Sequence, residues 1–179
     1  IIWTPNSTGY FGPITLVIND NDLINPLQAI QDFYIDVRVS QDFVLHQGNN
    51  LISYLGVLED NSIENMLLPL SNNVTDIITE NYASIQLEDG NWIGSLNSVE
   101  ADGGYWVKVN SDATLQTQGT PTGAVEYSLT QGNNLASYSY AINQGVSDAI
   151  PADVQSGFYG IAGEGIATLN IGGEWVGSL

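Results

Sequence analysis

The sequence contains no cysteine and only two basic residues, Arg38 and Lys108, against 20 acidic ones. Without cysteine, neither a disulfide framework nor a thiolate metal site can form. Thiol chemistry is closed, and with a single lysine Schiff-base chemistry is nearly so. A formal net charge of −18 leaves no basic footprint for displacing counterions from phosphates, which excludes nucleic acid as a partner. Binding to an anionic membrane surface fails for the same reason. Apolar runs are short as well. Ile14-Thr15-Leu16-Val17-Ile18 is strand-sized, far below the roughly 18–20 residues that span a bilayer. Membrane insertion is therefore not expected. The chain opens at Ile1 with no leader-like stretch, so it reads as a processed protein or an internal piece.

What is present is a repeat. Gln47-Gly48-Asn49-Asn50-Leu51-Ile52-Ser53-Tyr54 recurs as Gln131-Gly132-Asn133-Asn134-Leu135-Ala136-Ser137-Tyr138. Trp92-Ile93-Gly94-Ser95-Leu96 recurs as Trp175-Val176-Gly177-Ser178-Leu179. Two separate blocks at nearly one offset indicate tandem duplication. The expected organisation is a leading segment (1–41), a complete module (42–120) and a second copy (127–179). That second copy has no counterpart of about 97–119, two strands' worth of sequence.

Within each copy the pattern is β. Phe43–His46, Leu51–Tyr54, Ala83–Leu87, Trp92–Ser95, Tyr105–Val109 and Thr114–Thr117 are short runs rich in β-branched and aromatic residues, punctuated by Gly, Asn and Asp. Glu88-Asp89-Gly90-Asn91 reads as a hairpin turn, with Gly172-Gly173 in its place in the second copy. Ser62–Leu68 has helical spacing, with Asn61 as the expected N-cap and Pro69 near its end. Val146–Ile150 is its shorter counterpart. In the leading segment, Ile14–Ile18 and Gln31–Val39 predict two strands. Phe33, Ile35, Val37 and Val39 should face one way, and Tyr34, Asp36 and Arg38 the other. The class is all-β, mostly antiparallel, with one short helix per repeat, in tandem modular β domains.

Two resemblances add to this. Gly9-Tyr10-Phe11-Gly12-Pro13-Ile14-Thr15-Leu16, then Asn19-Asp20 and Gln31-Asp32-Phe33, resemble the C-terminal half of a cadherin-like, immunoglobulin-type tandem repeat of large bacterial and viral surface proteins. Gly48–Ser53, Trp92–Leu96 and Gly104–Val109 resemble a module of secreted mosaic proteins of aquatic bacteria. Where that module usually carries Trp before the Asn of its opening, this sequence has Asn49 and Asn133. The resemblance implies an extracellular setting (cell surface, filament or virion) and no particular reaction.

These residues offer little chemistry. The sole histidine, His46, sits in a predicted strand before a turn and reads as structural. Glu59-Asp60 and Glu88-Asp89 are the adjacent carboxylate pairs, but neighbours on a strand point to opposite faces, and both pairs flank turns. No catalytic residue and no cofactor site is assigned. Asp20 and Asp22, spaced by Asn21, are the candidate metal ligands, offering oxygens suited to calcium without the EF-hand spacing; the plainer reading is a turn capping its own backbone. Trp92, Tyr105, Trp106 and Trp175 read as core packing before a sugar-stacking platform. The expected role is structural or adhesive, through self-association or neighbouring modules or subunits meeting at β-edges. The alternative is a module that binds a glycan or another protein.

Overall fold

The computed structural model describes residues 9–20, 24, 27–121 and 124–179. Strands hold 47% of the chain and helical turns 9%, so the protein is all-β and mainly antiparallel. Strands β1 (Gly9–Asn19) and β2 (Gln28–Val37) form a two-stranded antiparallel ribbon. Its inward alternation holds only near its end. Ile35, Val37 and Val39 are half-buried, whereas Phe33 is exposed beside Tyr34, Asp36 and Arg38.

Strand β3 (Val39–Leu45) comes directly after β2 and runs across the expected boundary at 41/42, because its pairing with β10 (Ala113–Pro121) extends back to Val39 opposite Gly119. The tip of β10 also pairs with β5 (Gly56–Val57). The second sheet has five strands in the order β4-β9-β6-β7-β8. These are β4 (Gly48–Ile52), β6 (Val74–Ile78), β7 (Ala83–Gln86), β8 (Trp92–Gly94) and β9 (Tyr105–Val109).

Both sheets turn their apolar faces to one core. β3 and β10 contribute Leu45 and Leu115; β4, β6 and β9 contribute Ile52, Val74, Ile77, Tyr105, Val107 and Val109. Strand β9 shows why: Tyr105, Val107 and Val109 are buried while Trp106 and Lys108 between them are exposed, the period of two that one covered face requires. Helix α1 (Ile63–Met66) and the 3₁₀ turn after it seal the end of this sandwich-like core with Ile63, Met66, Leu67 and Leu70. The N-cap is Ser62, whose hydroxyl accepts from the Asn65 amide at 3.3 Å. Asn61, the expected cap, instead donates its side-chain amide to the Val99 carbonyl at 2.9 Å. Pro69 limits the continuation to a single 3₁₀ turn, so the helix is shorter than its spacing predicted.

The remainder of the chain holds the short helix α2 (Val146–Ala149) and a three-stranded sheet. That sheet comprises β11 (Gly160–Ala162), β12 (Ala167–Ile171) and β13 (Glu174–Gly177), in that order. Its hairpin repeats the register of β7 and β8. Ser84, Ile85 and Gln86 face Gly94, Ile93 and Trp92; Thr168, Leu169 and Asn170 face Gly177, Val176 and Trp175.

The recurring motifs have backbone reasons. A Cβ on Gly94 would run into the Ala83 carbonyl and the Ser84 backbone, and one on Gly177 would meet the Ala167 carbonyl and Thr168 backbone. The serine after each glycine closes the hairpin: Ser95 N–H donates to the Ala83 carbonyl at 2.9 Å, and Ser178 N–H to that of Ala167 at 2.8 Å. In the other block, the Asn50 side chain donates to the His46 carbonyl and accepts from the His46 N–H, both at 2.9 Å. Asn134 makes the same pair with Thr130, at 2.9 and 2.8 Å.

Candidate functional site

The segment 135–138 does not form a strand of its own. It lies against the loop before β9, where Gly104 N–H donates to the Leu135 carbonyl (3.3 Å) and Ser137 N–H to that of Asp102 (2.9 Å). The Ser137 hydroxyl donates to the Ala101 carbonyl at 2.6 Å, with the Tyr127 hydroxyl 3.0 Å from it. This seam leaves a cleft of about 410 Å³. Its walls come from the turn between β6 and β7 (Thr79–Tyr82), the stretch after β8 (Ser95–Ser98), the loop before β9, and residues 127–129 and 134–136.

The lining carries three carboxylates (Glu80, Glu100 and Asp102), three tyrosines (Tyr82, Tyr105 and Tyr127) and the amides of Asn81, Asn97 and Asn134, and none of its side chains is basic. The loop is held from beneath. Tyr105, anchored in the core, accepts from the Glu100 amide through its hydroxyl at 2.5 Å. Burial, the largest influence, raises the pKa of that hydroxyl, so it stays a neutral hydrogen-bonding post. The Thr79 hydroxyl donates to the Gly104 carbonyl at 3.0 Å, and that of Ser98 to the Glu100 carboxylate at 3.1 Å. A cleft whose charged side chains are all carboxylates, set among amides, phenols and hydroxyls, repels anions and suits a ligand rich in hydroxyl donors.

Apart from Tyr105, the candidate residues singled out in the sequence lie elsewhere. Asp20 accepts the Leu27 amide at 3.0 Å, closing the connection between β1 and β2 on its own backbone. Asp22 and Asn21 lie outside the described residues. Among the described residues no group of three or more His, Asp or Glu is arranged to hold a metal ion. Asp60 and Asp89 each cap a turn. Hydrogen bonds from Ser62 to Asp60, and from Asn91 to Asp89, hold both carboxyls below the usual range. Trp92 packs against the core and Tyr105 is part of it. Trp106 does not follow the core reading: it is 37% exposed, because the alternation of β9 turns it to the outer face. Trp175 is half-buried, its indole N–H 3.2 Å from the Gln155 side-chain oxygen.

His46 has a partner that the sequence does not suggest. Its Nε2 meets the Glu164 carboxylate, 118 residues away, whose other oxygen accepts the Leu51 amide at 2.9 Å. The Gln47 carbonyl first, and then Glu164, raise His46 above its ordinary value of 6.5. The Leu51 amide first, and then His46, lower Glu164. Glu164 thus sits on the outer edge of β4, an end strand of the five-stranded sheet. Tyr138 adds to this contact, its N–H donating to the Ser53 hydroxyl at 3.2 Å.

Comparison with family models, with curated proteins and with solved structures returned no match.

Proposed function

We propose that this chain is a structural or adhesive segment of an extracellular, repeat-built β protein, and that it has no catalytic role. The observation that carries this reading is the shared register and shared turn chemistry of the two copies. The residues that recur are the ones that close turns and let strands approach. Repetition is thus spent on scaffold geometry, as in proteins built by stacking units. The acidity suits a secreted surface that stays dispersed in salty surroundings.

A second reading has its own support. The carboxylate- and tyrosine-lined cleft suits a glycan, whose hydroxyls would donate to the acids and whose ring faces Tyr82 would cover. A glycan array probed with the intact chain separates the two. The architectural reading expects no reproducible selective binding. Selective hits that disappear in Tyr82→Ala and Asp102→Asn would overturn it in favour of a binding module.

A further inference from the structure

The alternation that buries one face of the five-stranded sheet turns another set of side chains outward. Trp106 and Lys108 on β9 lie opposite Ile78 and Asp76 on β6. Leu51 on β4 lies opposite Trp106, Ile85 on β7 opposite Asp76, and Ile93 on β8 opposite Ile85. Residues directly opposite in an antiparallel ladder share a face, so these side chains form one band across all five strands. The band is open: Trp106, Ile78, Ile85 and Ile93 are 37%, 42%, 52% and 57% exposed. Among the described residues, the hydrogen bonds of the second repeat to the first run elsewhere, to the loop before β9 and to β4 and its flanks.

Charge sets this band apart. With 20 acidic residues against two basic ones, two molecules repel each other over most of their surface. Within the band the charged side chains are Lys108 and Asp76, which face each other at 4.0 Å and cancel. A cationic partner finds its countercharges elsewhere on the molecule, and an acidic partner is turned away. An identical face is the complement. A two-fold axis along the strands, midway between β9 and β6, sets each of these strands over the other in the facing molecule. Trp106 then lies over Ile78 and Lys108 over Asp76, so apolar groups stack and each cation meets a carboxylate.

We infer that the outer face of the five-stranded sheet is a contact surface for a second molecule of this chain. The inference rests on the structural or adhesive reading and names the partner for it. The contact is a weak one. Five strands about 4.8 Å apart span roughly 20 Å, and each adds one or two side chains to the band. Such a face falls short of the roughly 800 Å² per partner of a standard interface. A single pair therefore comes apart readily, and only many pairs together hold. The two readings fail separately: glycan binding tests the architectural one, and self-association tests only this one.

The experiment is sedimentation of the intact chain over a concentration series at low and at high salt. At about 0.5 M salt the Debye length is about 4 Å and repulsion is screened. The weight-average mass should then rise by about half near ~1 mM, as a contact of this size implies. At about 0.02 M salt the same series should stay monomeric. Ile78→Lys with Ile85→Lys adds two positive charges to a chain of net charge −18, easing general repulsion while placing charge in the contact. Association should weaken at least tenfold in this variant and in Lys108→Glu, a change at a half-exposed side chain that leaves the core untouched. It should persist in Val44→Lys, at an 86% exposed position on the other sheet. A chain that stays monomeric at high salt overturns the inference. So does association that survives the band variants, or that Val44→Lys removes equally, since it would then run through another surface.

Discussion

Truncating one isoleucine in each copy measures how differently the two are packed. Ile77 and Ile161 stand at matching places, opposite Ser84 and Thr168 on the neighbouring strand. Ile77→Ala removes about three methylene-sized groups, worth about 2.4 kcal/mol of transfer free energy at ~0.8 each. The site is sealed between two sheets and cannot collapse fully, so a cavity cost adds to this. The total should be about 3–4 kcal/mol, within the range of roughly 2–5 seen for such truncations. Ile161 keeps partial access to water, so part of the transfer gain is never made and no closed cavity remains. Ile161→Ala should cost about 1 kcal/mol or less. Urea unfolding reads the global loss, and hydrogen exchange at β6 and β11 assigns it to one copy. On heating, Ile77→Ala should lower the midpoint by roughly 12–30 °C for a unit of this size. Equal costs at the two positions would refute the asymmetry, since they would require a second sealed core around Ile161.

Two single groups give further expected outcomes. The Tyr54 hydroxyl is buried with no hydrogen-bond partner among the described residues, and burial pushes its pKa well above the usual phenol value. Tyr54→Phe should therefore raise the urea midpoint, by about 1 kcal/mol in stability, and a fall would show that the hydroxyl has a partner. For His46 and Glu164 the signs run in opposite directions. The raised His46 stabilises fully below about 6.5 and loses this as pH rises through its folded value, whereas the lowered Glu164 stabilises above about 4.5 and loses this as pH falls through its own. The contact on β4 should therefore be tightest between about pH 4.5 and 6.5. An NMR titration of the His46 ring with the Leu51 amide as reporter checks this, and a His46 midpoint at or below 6.5 would contradict it.

The β class, the two hairpins and most strands of the first copy are legible in the sequence because their apolar alternation is regular and their turns carry Asp-Gly or Gly-Gly. Strand β6 is not: in Val74-Thr75-Asp76-Ile77-Ile78 the sheet's register shifts between Val74 and Asp76, so the pattern loses its period of two. The helix cap falls one residue later than expected because Asn61 and Ser62 are both good caps, and a tertiary bond to Val99 takes Asn61. The cleft is hidden for a different reason. Its residues come from separate stretches that only the seam between 102–104 and 135–137 brings together, and no local spacing records such a meeting. The Glu164 contact is concealed in the same way, since nothing near Glu164 in the sequence points to β4.

That contact shields one edge of the five-stranded sheet. An outer strand with free amides is a template on which another chain can zip, and a carboxylate seated on the Leu51 amide must be evicted before that can begin. The eviction would also strand a negative charge beside the newcomer. At that point β4 is a protected edge, and any strand laid along it would work against both the seated carboxylate and its charge.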